Sequence, residues 1–427
     1  MPAPRFLAAG LLLALAGCGA PPPAPMSTVM GPDPQLPAPR QGLLPTVNIA
    51  PARGWPAGET PVAAAGLTVN AFYTGLDHPR WMHVLPNGDV LVAEANKQPA
   101  TPTSLRGVAE RIVMGIAGAE APTADRISLL RDADGDGVAE GRTVLLEDLT
   151  SPFGMALLEG HLYVANTDAL VRVPFRVGQT RVDATPEVVV ALPAGAPNRH
   201  WTKGLLAHEG HLYVSVGSNS DHGENGLAAE RDRAAIWRVN PQTGRAEVFA
   251  RGLRNPVGMD TEPATGALWT VVNERDELGD NLVPDYMAQV RPGDHFGWPW
   301  IYYGDRRDPR VDAPGAPADV ERPDYALGAH VAPLGLTFAD GARLGQGPGA
   351  YVGLHGSWNR VPASGYSVVF VPFTDGNPVG QPRDVLTGFL DGDENALGRP
   401  VGVEIAADGA LLVADDVGNT IWRVSRD

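Results

Sequence analysis

One pattern recurs six times along this chain: a polar turn, usually closed by glycine, followed at once by a short strand of small and branched apolar residues. It is read at 86–93 (PNGDVLVA), 159–164 (EGHLYV), 209–214 (EGHLYV), 265–270 (TGALWT), 348–352 (PGAYV) and 407–414 (ADGALLVA). A unit this small cannot bury its own apolar face, so repeated units must stack against one another. Proline or glycine pairs stand upstream of several units, as at His78-Pro79, Ser151-Pro152, Asn255-Pro256 and Arg399-Pro400, and further strands such as 236–239 follow downstream. Strands rich in Val, Leu and Tyr between glycine turns predict four-stranded antiparallel blades. No segment carries a long apolar run at helical spacing, so helices are expected only in insertions. The predicted fold is all-β, a six-bladed β-propeller over 63–427. The last strand, at 420–424, is expected to close the ring by pairing with a blade begun near Leu67.

Two leading segments stand outside that pattern. Residues 1–18 carry an early positive charge at Arg5, an apolar run from Phe6 to Ala16, and then Leu15-Ala16-Gly17-Cys18, which is the form of a bacterial lipoprotein signal. The run is too short for a membrane-spanning helix. Cys18 is the only cysteine, so it is the expected lipid carrier and no disulfide can form within the chain. This predicts a periplasm-facing, lipid-anchored protein of the cell envelope, and Gly19 after the cysteine points to the outer membrane. Residues 19–62 are rich in proline and alanine without apolar periodicity, and a disordered tether is expected there. The net charge of -16 argues against a nucleic-acid partner. No basic run suggests attraction to a membrane surface, so contact with the membrane is expected through the N-terminal lipid alone.

In a propeller, loops from successive blades converge on the central channel, and chemistry gathers there. Three motifs fall in such loops: 199–204 (RHWTKG), 254–258 (RNPVG) and 293–299 (GDHFGWP). There is no nucleophile elbow, dinucleotide fingerprint or haem-attachment motif. With 212–217 (LYVSVG), 355–360 (HGSWNR) and 398–402 (GRPVG), the motifs make the chain resemble the pyrroloquinoline-quinone (PQQ) dependent soluble glucose and aldose dehydrogenases from about Leu67 onward. The resemblance is closer to the L-sorbosone dehydrogenase and pyranose dehydrogenase branch.

That resemblance implies a sugar substrate, hydride transfer to PQQ, and an external acceptor that takes the electrons. His200 matches the family's base, and a neutral imidazole suits removal of a hydroxyl proton near neutral pH. PQQ carries three carboxylates, which fixed cations and amides would hold. Lys203, Asn255 and Arg399 fall at family positions near the cofactor, and Arg360 stands in for a lysine of the glucose enzymes. Arg254 reads either as a cofactor residue or as a structural ion-pair residue. Calcium is implied as a Lewis acid on the quinone. The corresponding stretch is 273–281, where Arg275-Asp276 replaces a Gly-Pro pair, so backbone carbonyls or the side chains of Glu274 and Asp276 are its candidate ligands. Ser218 stands where the glucose enzymes have an aspartate that orients the base, and Asp221 lies three residues on.

A second calcium candidate is 132–137 (DADGDG), where Asp132, Asp134 and Asp136 present alternate oxygens. Thr143 at the twelfth position makes it an incomplete EF-hand loop, and a plain Asp/Gly turn is the other reading. Two rival functions remain at this level. One is a calcium-dependent propeller lactonase or hydrolase using Glu94, Asn166, Asn273 and Asp415; the other is a binding propeller without catalysis.

Overall fold

The computed structural model describes residues 25–40, 42, 46–99, 111, 114–312 and 314–427. Residues 1–18, including Cys18, lie outside them. No helix among the described residues is long and apolar enough to cross a membrane.

Six antiparallel four-stranded blades surround a central channel, as the repeats predict. Their innermost strands are Pro79–Val84, Met155–Leu158, Leu205–His208, Asn255–Thr261, Pro333–Phe338 and Pro400–Ile405. These define blades one to six in chain order. Each of the six repeated turns occupies the same place, the hairpin between an innermost strand and the second strand of its blade. The second strands are sandwiched between neighbouring sheets and are almost wholly buried, as Val90–Glu94 and Leu411–Asp415 show. Burial on both faces explains their small, branched, unbroken apolar composition. Closure follows the expected route: Leu67–Thr74 pairs with Thr420–Arg426 as the outer strand of blade six, so the first and last strands of the ring lock together.

The upstream Pro-x-Gly signals have a steric cause. A Cβ at Gly154, Gly204, Gly258 or Gly335 would collide with the backbone of the next blade's innermost strand, and one at Gly402 would crowd it. Glycine there lets the six strands approach around the axis. Register shifts at Pro79/Trp81, Pro256/Met259, Pro333/Gly335 and Pro400/Val403 mark bulges at the start of four of these strands. Bulges re-aim side chains next to functional sites. Here they occur at the end of the channel where the motifs lie.

The expectation of a disordered tether over 19–62 is corrected for the residues described. Gly31 exchanges backbone hydrogen bonds with Ala326 of blade four, and Val29 is fully buried. Further on, Trp55 stacks edge-on with Phe389 and Trp422, and Val62–Ala63 extends the fifth blade beside Leu386 and Thr387. Prolines that prevent this stretch from forming a core of its own leave it extended, and extended chain can lie across a prebuilt surface. The insertion from Tyr302 to Ala329, which showed no pattern in the sequence, contains a small hairpin, Ile301–Tyr302 with Arg306–Arg307. It ends in Tyr325–Ala329, the outer strand of blade four.

Candidate functional site at one mouth of the channel

All six innermost strands run the same way, so their starts and the ends of the second strands share one mouth. Residues from every blade meet there. Of the buried side-chain polar atoms that lack a partner among the described residues, six belong to this mouth: Arg80 Nε, Asn166 Oδ1, Asn255 Oδ1, Asn359 Oδ1, Arg399 Nε and Asp416 Oδ1. A buried polar group without a partner costs about 1–3 kcal/mol. Such a concentration marks a place built to receive polar atoms from elsewhere.

His200 is the group placed for proton transfer. Its Nδ1 lies 2.9 Å from Ser218 Oγ and 3.0 Å from the Ser218 carbonyl. Ser218 Oγ donates its one proton to the Ser220 carbonyl at 2.6 Å. Both Ser218 oxygens therefore accept at His200, Nδ1 carries the proton, and Nε2 is left with its lone pair. Burial, with Arg254 and Arg199 nearby, holds the imidazole well below its ordinary pKa. Ser218 thus fixes the tautomer without adding the charge an aspartate would bring. Gly217 makes the close packing possible, since a Cβ there would strike both His200 Cβ and Asn255 Oδ1.

Three expected cofactor cations are buried, and none pairs with a carboxylate. Lys203 is fully buried, donates to the Trp201 carbonyl at 3.1 Å, and is brought down to about 7, first by burial and then by Arg233. Arg399 lies over the Tyr366 ring and its guanidinium donates to the Ala50 carbonyl at 3.1 Å. Arg360 donates to the carbonyls of Asp280 and Pro362 and to Asn281 Oδ1. Buried cations without counter-charges are costly, and an incoming anion relieves that cost.

Arg254 is different. It donates to Asp221 Oδ1 at 2.7 Å, to Asp276 Oδ2 at 3.2 Å and to two carbonyls, so of its two readings the structure displays the ion-pair one. Asp221 is held far below the carboxylate range by Arg254, His222, the Asp276 N–H and Arg310, against burial that opposes this. The indole of Trp298, from the third motif, donates to the Asp221 carbonyl at 2.9 Å. That motif therefore serves as scaffold behind the base.

The segment expected to hold calcium is already occupied by cations of the protein. Glu274 Oε2 accepts from the main chain and guanidinium of Arg275, which is completely buried and also bonds to the Pro299 and Ile301 carbonyls. Asp276 accepts from Asn359 and Arg254 and lies 3.4 Å from His330 Nδ1. Its carbonyl, with those of Asn273, Gly279 and Asp280, accepts from Arg310, Arg254, His330 and Arg360. The side chains of Glu274, Arg275 and Asp276 do not fit a calcium ion, which leaves only main-chain carbonyls of that stretch.

Asp132, Asp134 and Asp136 do come together, joined by Glu140, with oxygens within 4.8 Å of one another. They sit in the loop between Arg126–Arg131 and Gly141–Leu146, at the other end of the blade from His200. Of the quartet proposed for a lactonase metal, three side chains are already engaged by the protein itself. Glu94 is bound by Arg126, Arg142 and Ser128, Asp415 by Trp55, Trp422 and two backbone N–H groups, and Asn273 donates to Pro333.

Several residues of this mouth escaped the sequence reading. Arg80 pairs with Asp416 and lies over the rings of Phe153 and Trp201, while His355 Nε2 is 2.9 Å from Asp416. Arg310 reaches Asp221 and the Asp276 carbonyl from the insertion. A residue just after Pro79, or in a patternless insertion, gives no signal until the blades close. Beside Asp416 a cavity of about 540 Å3 opens, lined by Asp77, Arg126, Asn419 and residues 52–54.

Comparisons with known proteins agree with this fold. Residues 159–353 match the family described as Glucose / Sorbosone dehydrogenase, and residues 290–427 match the TrAA12-like family. A PQQ-dependent pyranose dehydrogenase of Coprinopsis cinerea is 35% identical over 239 residues, 43% of this chain and 32% of that longer protein. A Borreliella burgdorferi protein of unassigned function is 28% identical over 301 residues, 66% of this chain and 77% of its own. Among solved structures, the holo PQQ domain of the Coprinopsis pyranose dehydrogenase superposes with a TM-score of 0.68. At 20% identity it spans 88% of this chain and all of that domain. The fold is the six-bladed propeller that these sugar dehydrogenases share. Over residues 159–353 the chain is similar to glucose and sorbosone dehydrogenases, and it shares its propeller fold with the PQQ domain of the pyranose dehydrogenase.

Proposed function

We propose that this protein is a quinoprotein that oxidises a sugar, an aldose, a pyranose or a sorbosone-like aldehyde, and passes the electrons to a separate acceptor. The observation that carries the reading is the set of buried cations without carboxylates and unpartnered polar atoms at the mouth that holds His200. Bound there, PQQ would supply the two-electron oxidant that protein side chains lack. Arg399 and Asn255 would hold its carboxylates and polar edge, with Lys203 and Arg360 adding positive charge behind them. His200 Nε2 takes the proton of the sugar hydroxyl as the C–H bond breaks. The Nδ1–H bond to Ser218 keeps the ring oriented while charge develops on it. Asp221, without touching the ring, offsets part of the opposing field of Arg254, with which it is paired. A role for calcium rests on the main-chain carbonyls of 273–281 alone, and no step is assigned to it. The lipid anchor at Cys18 and a periplasm-facing position remain part of the proposal.

Dye-linked oxidation of an aldose panel, with PQQ and calcium added together, singly or not at all, tests the reading. Turnover that requires PQQ supports it. Turnover without PQQ, or absence of turnover together with absence of quinone binding, overturns it.

A further inference from the structure

The N-terminal stretch does more than cover the propeller. It touches, one after another, the loops that carry the site. The main-chain N–H of Arg40 donates to the Leu278 carbonyl at 2.8 Å. Asn48 N–H donates to the Trp358 carbonyl at 2.8 Å, and its side-chain amide donates to the Arg360 carbonyl and to Glu394 Oε2, each at 2.9 Å. The Ala50 carbonyl accepts from Arg399, and this is the one hydrogen bond of that guanidinium among the described residues. Arg53 N–H reaches the Ala396 carbonyl, and Trp55 Nε1 reaches Asp415 Oδ2, whose partner oxygen accepts from Arg399 N.

These loops come from blades four, five and six, and the sheets themselves do not join their tips. Arg360 and Arg399 are each about 5–6% exposed, and the strap touches the main chain of the first and the guanidinium of the second. A buried cation has fixed aim only when what surrounds it is fixed. Resting on the quinone reading above, we infer that residues 46–55 are a built-in part of the cofactor pocket. Asn48 and the Ala50 carbonyl are positioning groups for Arg360 and Arg399, and docking of this strap is coupled to quinone binding.

Coupling of this kind is reciprocal. If the strap aims the arginines, a bound tricarboxylate must hold the strap down. Arg40 and Arg53 are exposed, so trypsin cleavage at these positions reports undocking in the full-length chain. The expected result is that saturating PQQ slows cleavage after Arg53 several-fold in the wild-type protein. Asn48→Ala and Ala50→Leu are expected to weaken PQQ binding, read by fluorescence titration, about tenfold, in line with one or two lost buried hydrogen bonds. The pH profile of turnover at saturating PQQ is expected to keep the wild-type shape, because His200 is untouched. Thermal unfolding of the variants separates a loosened strap from a collapsed ring, and the protection assay needs no variant. Cleavage indifferent to PQQ, with unchanged affinity in both variants, overturns the inference and leaves the function standing. A wild-type chain that binds no PQQ overturns both.

Discussion

The two mouths of the channel are built from the same six strands and have opposite chemistry. At the starts of the strands lie Arg80, Lys203, Arg254, Arg360 and Arg399, with unpartnered polar atoms among them. At the far ends a cavity of about 450 Å3 is lined by apolar side chains with Asp260, Asp340, Glu404 and His83, and by no lysine or arginine. Burial raises Asp260 to about 6 and Glu404 to about 8, with repulsion from Asp340 adding to the first and from Asp260 to the second. An overall acidic chain can therefore gather buried positive charge at one mouth, and the sum of charges says little about a local site. The acidic mouth has backbone partners: Asp260 accepts from Phe338 and Thr261, and it ties blade four to blade five. One mouth holds the groups assigned to function and the other joins blades.

The sharpest way to break this contrast is to remove His200. His200→Ala is expected to lower turnover about 10²–10⁴-fold, the range for loss of a general base, while PQQ titration is little changed. Retained turnover would remove His200 from the chemistry. Arg399→Ala comes next, with PQQ affinity expected to fall about 10–100-fold for loss of a buried charge-assisted contact. Titration by quinone fluorescence measures this, and an unchanged affinity would place the quinone elsewhere. Because burial and two arginines depress His200, kcat/KM is expected to rise with pH only well below 6.5 and to be flat across neutrality. An ascending limb centred at 6.5 or above would contradict the neutral, Ser218-held imidazole. Ser218→Ala should cost only about 2–10-fold, since the Ser218 carbonyl still accepts from Nδ1.

The smallest effect belongs to the other mouth. Folded Glu404 holds a proton that the unfolded chain releases, so its contribution to stability is present below about 4.5 and is lost as pH rises through about 8. Glu404→Gln keeps a neutral acceptor and is expected to raise Tm by about 2–4 °C at pH 9, with little change at pH 5. Equal shifts at both pH values would contradict a buried acid there.

Much of the ring was legible because its signals are local and repeated. The six hairpin turns and the closing strand at 420–424 follow from turn chemistry and burial on both faces. His200, Asn255 and Arg399 were legible because they stand beside the Pro and Gly positions that start the innermost strands. What was hidden depends on distant contacts. The 46–62 stretch reads as disordered because its prolines block regular structure, and only the finished propeller supplies the acceptors that Asn48 and Trp55 use. Arg310 comes from an insertion without pattern. Glu274 and Asp276 have the composition of metal ligands, and only the fold shows them claimed by Arg275, Arg254 and Asn359. Likewise Glu140, ninth in the loop counted from Asp132, joins Asp132, Asp134 and Asp136.

The central claim is that the cationic mouth is the quinone site. A crystal structure of the full chain grown with PQQ tests it most directly. The account predicts quinone density between His200, Asn255 and Arg399, with His200 Nε2 facing it and residues 46–55 ordered over Arg360 and Arg399. Quinone in the acidic cavity, or a quinone that leaves Arg399 bound only to Ala50, would contradict it.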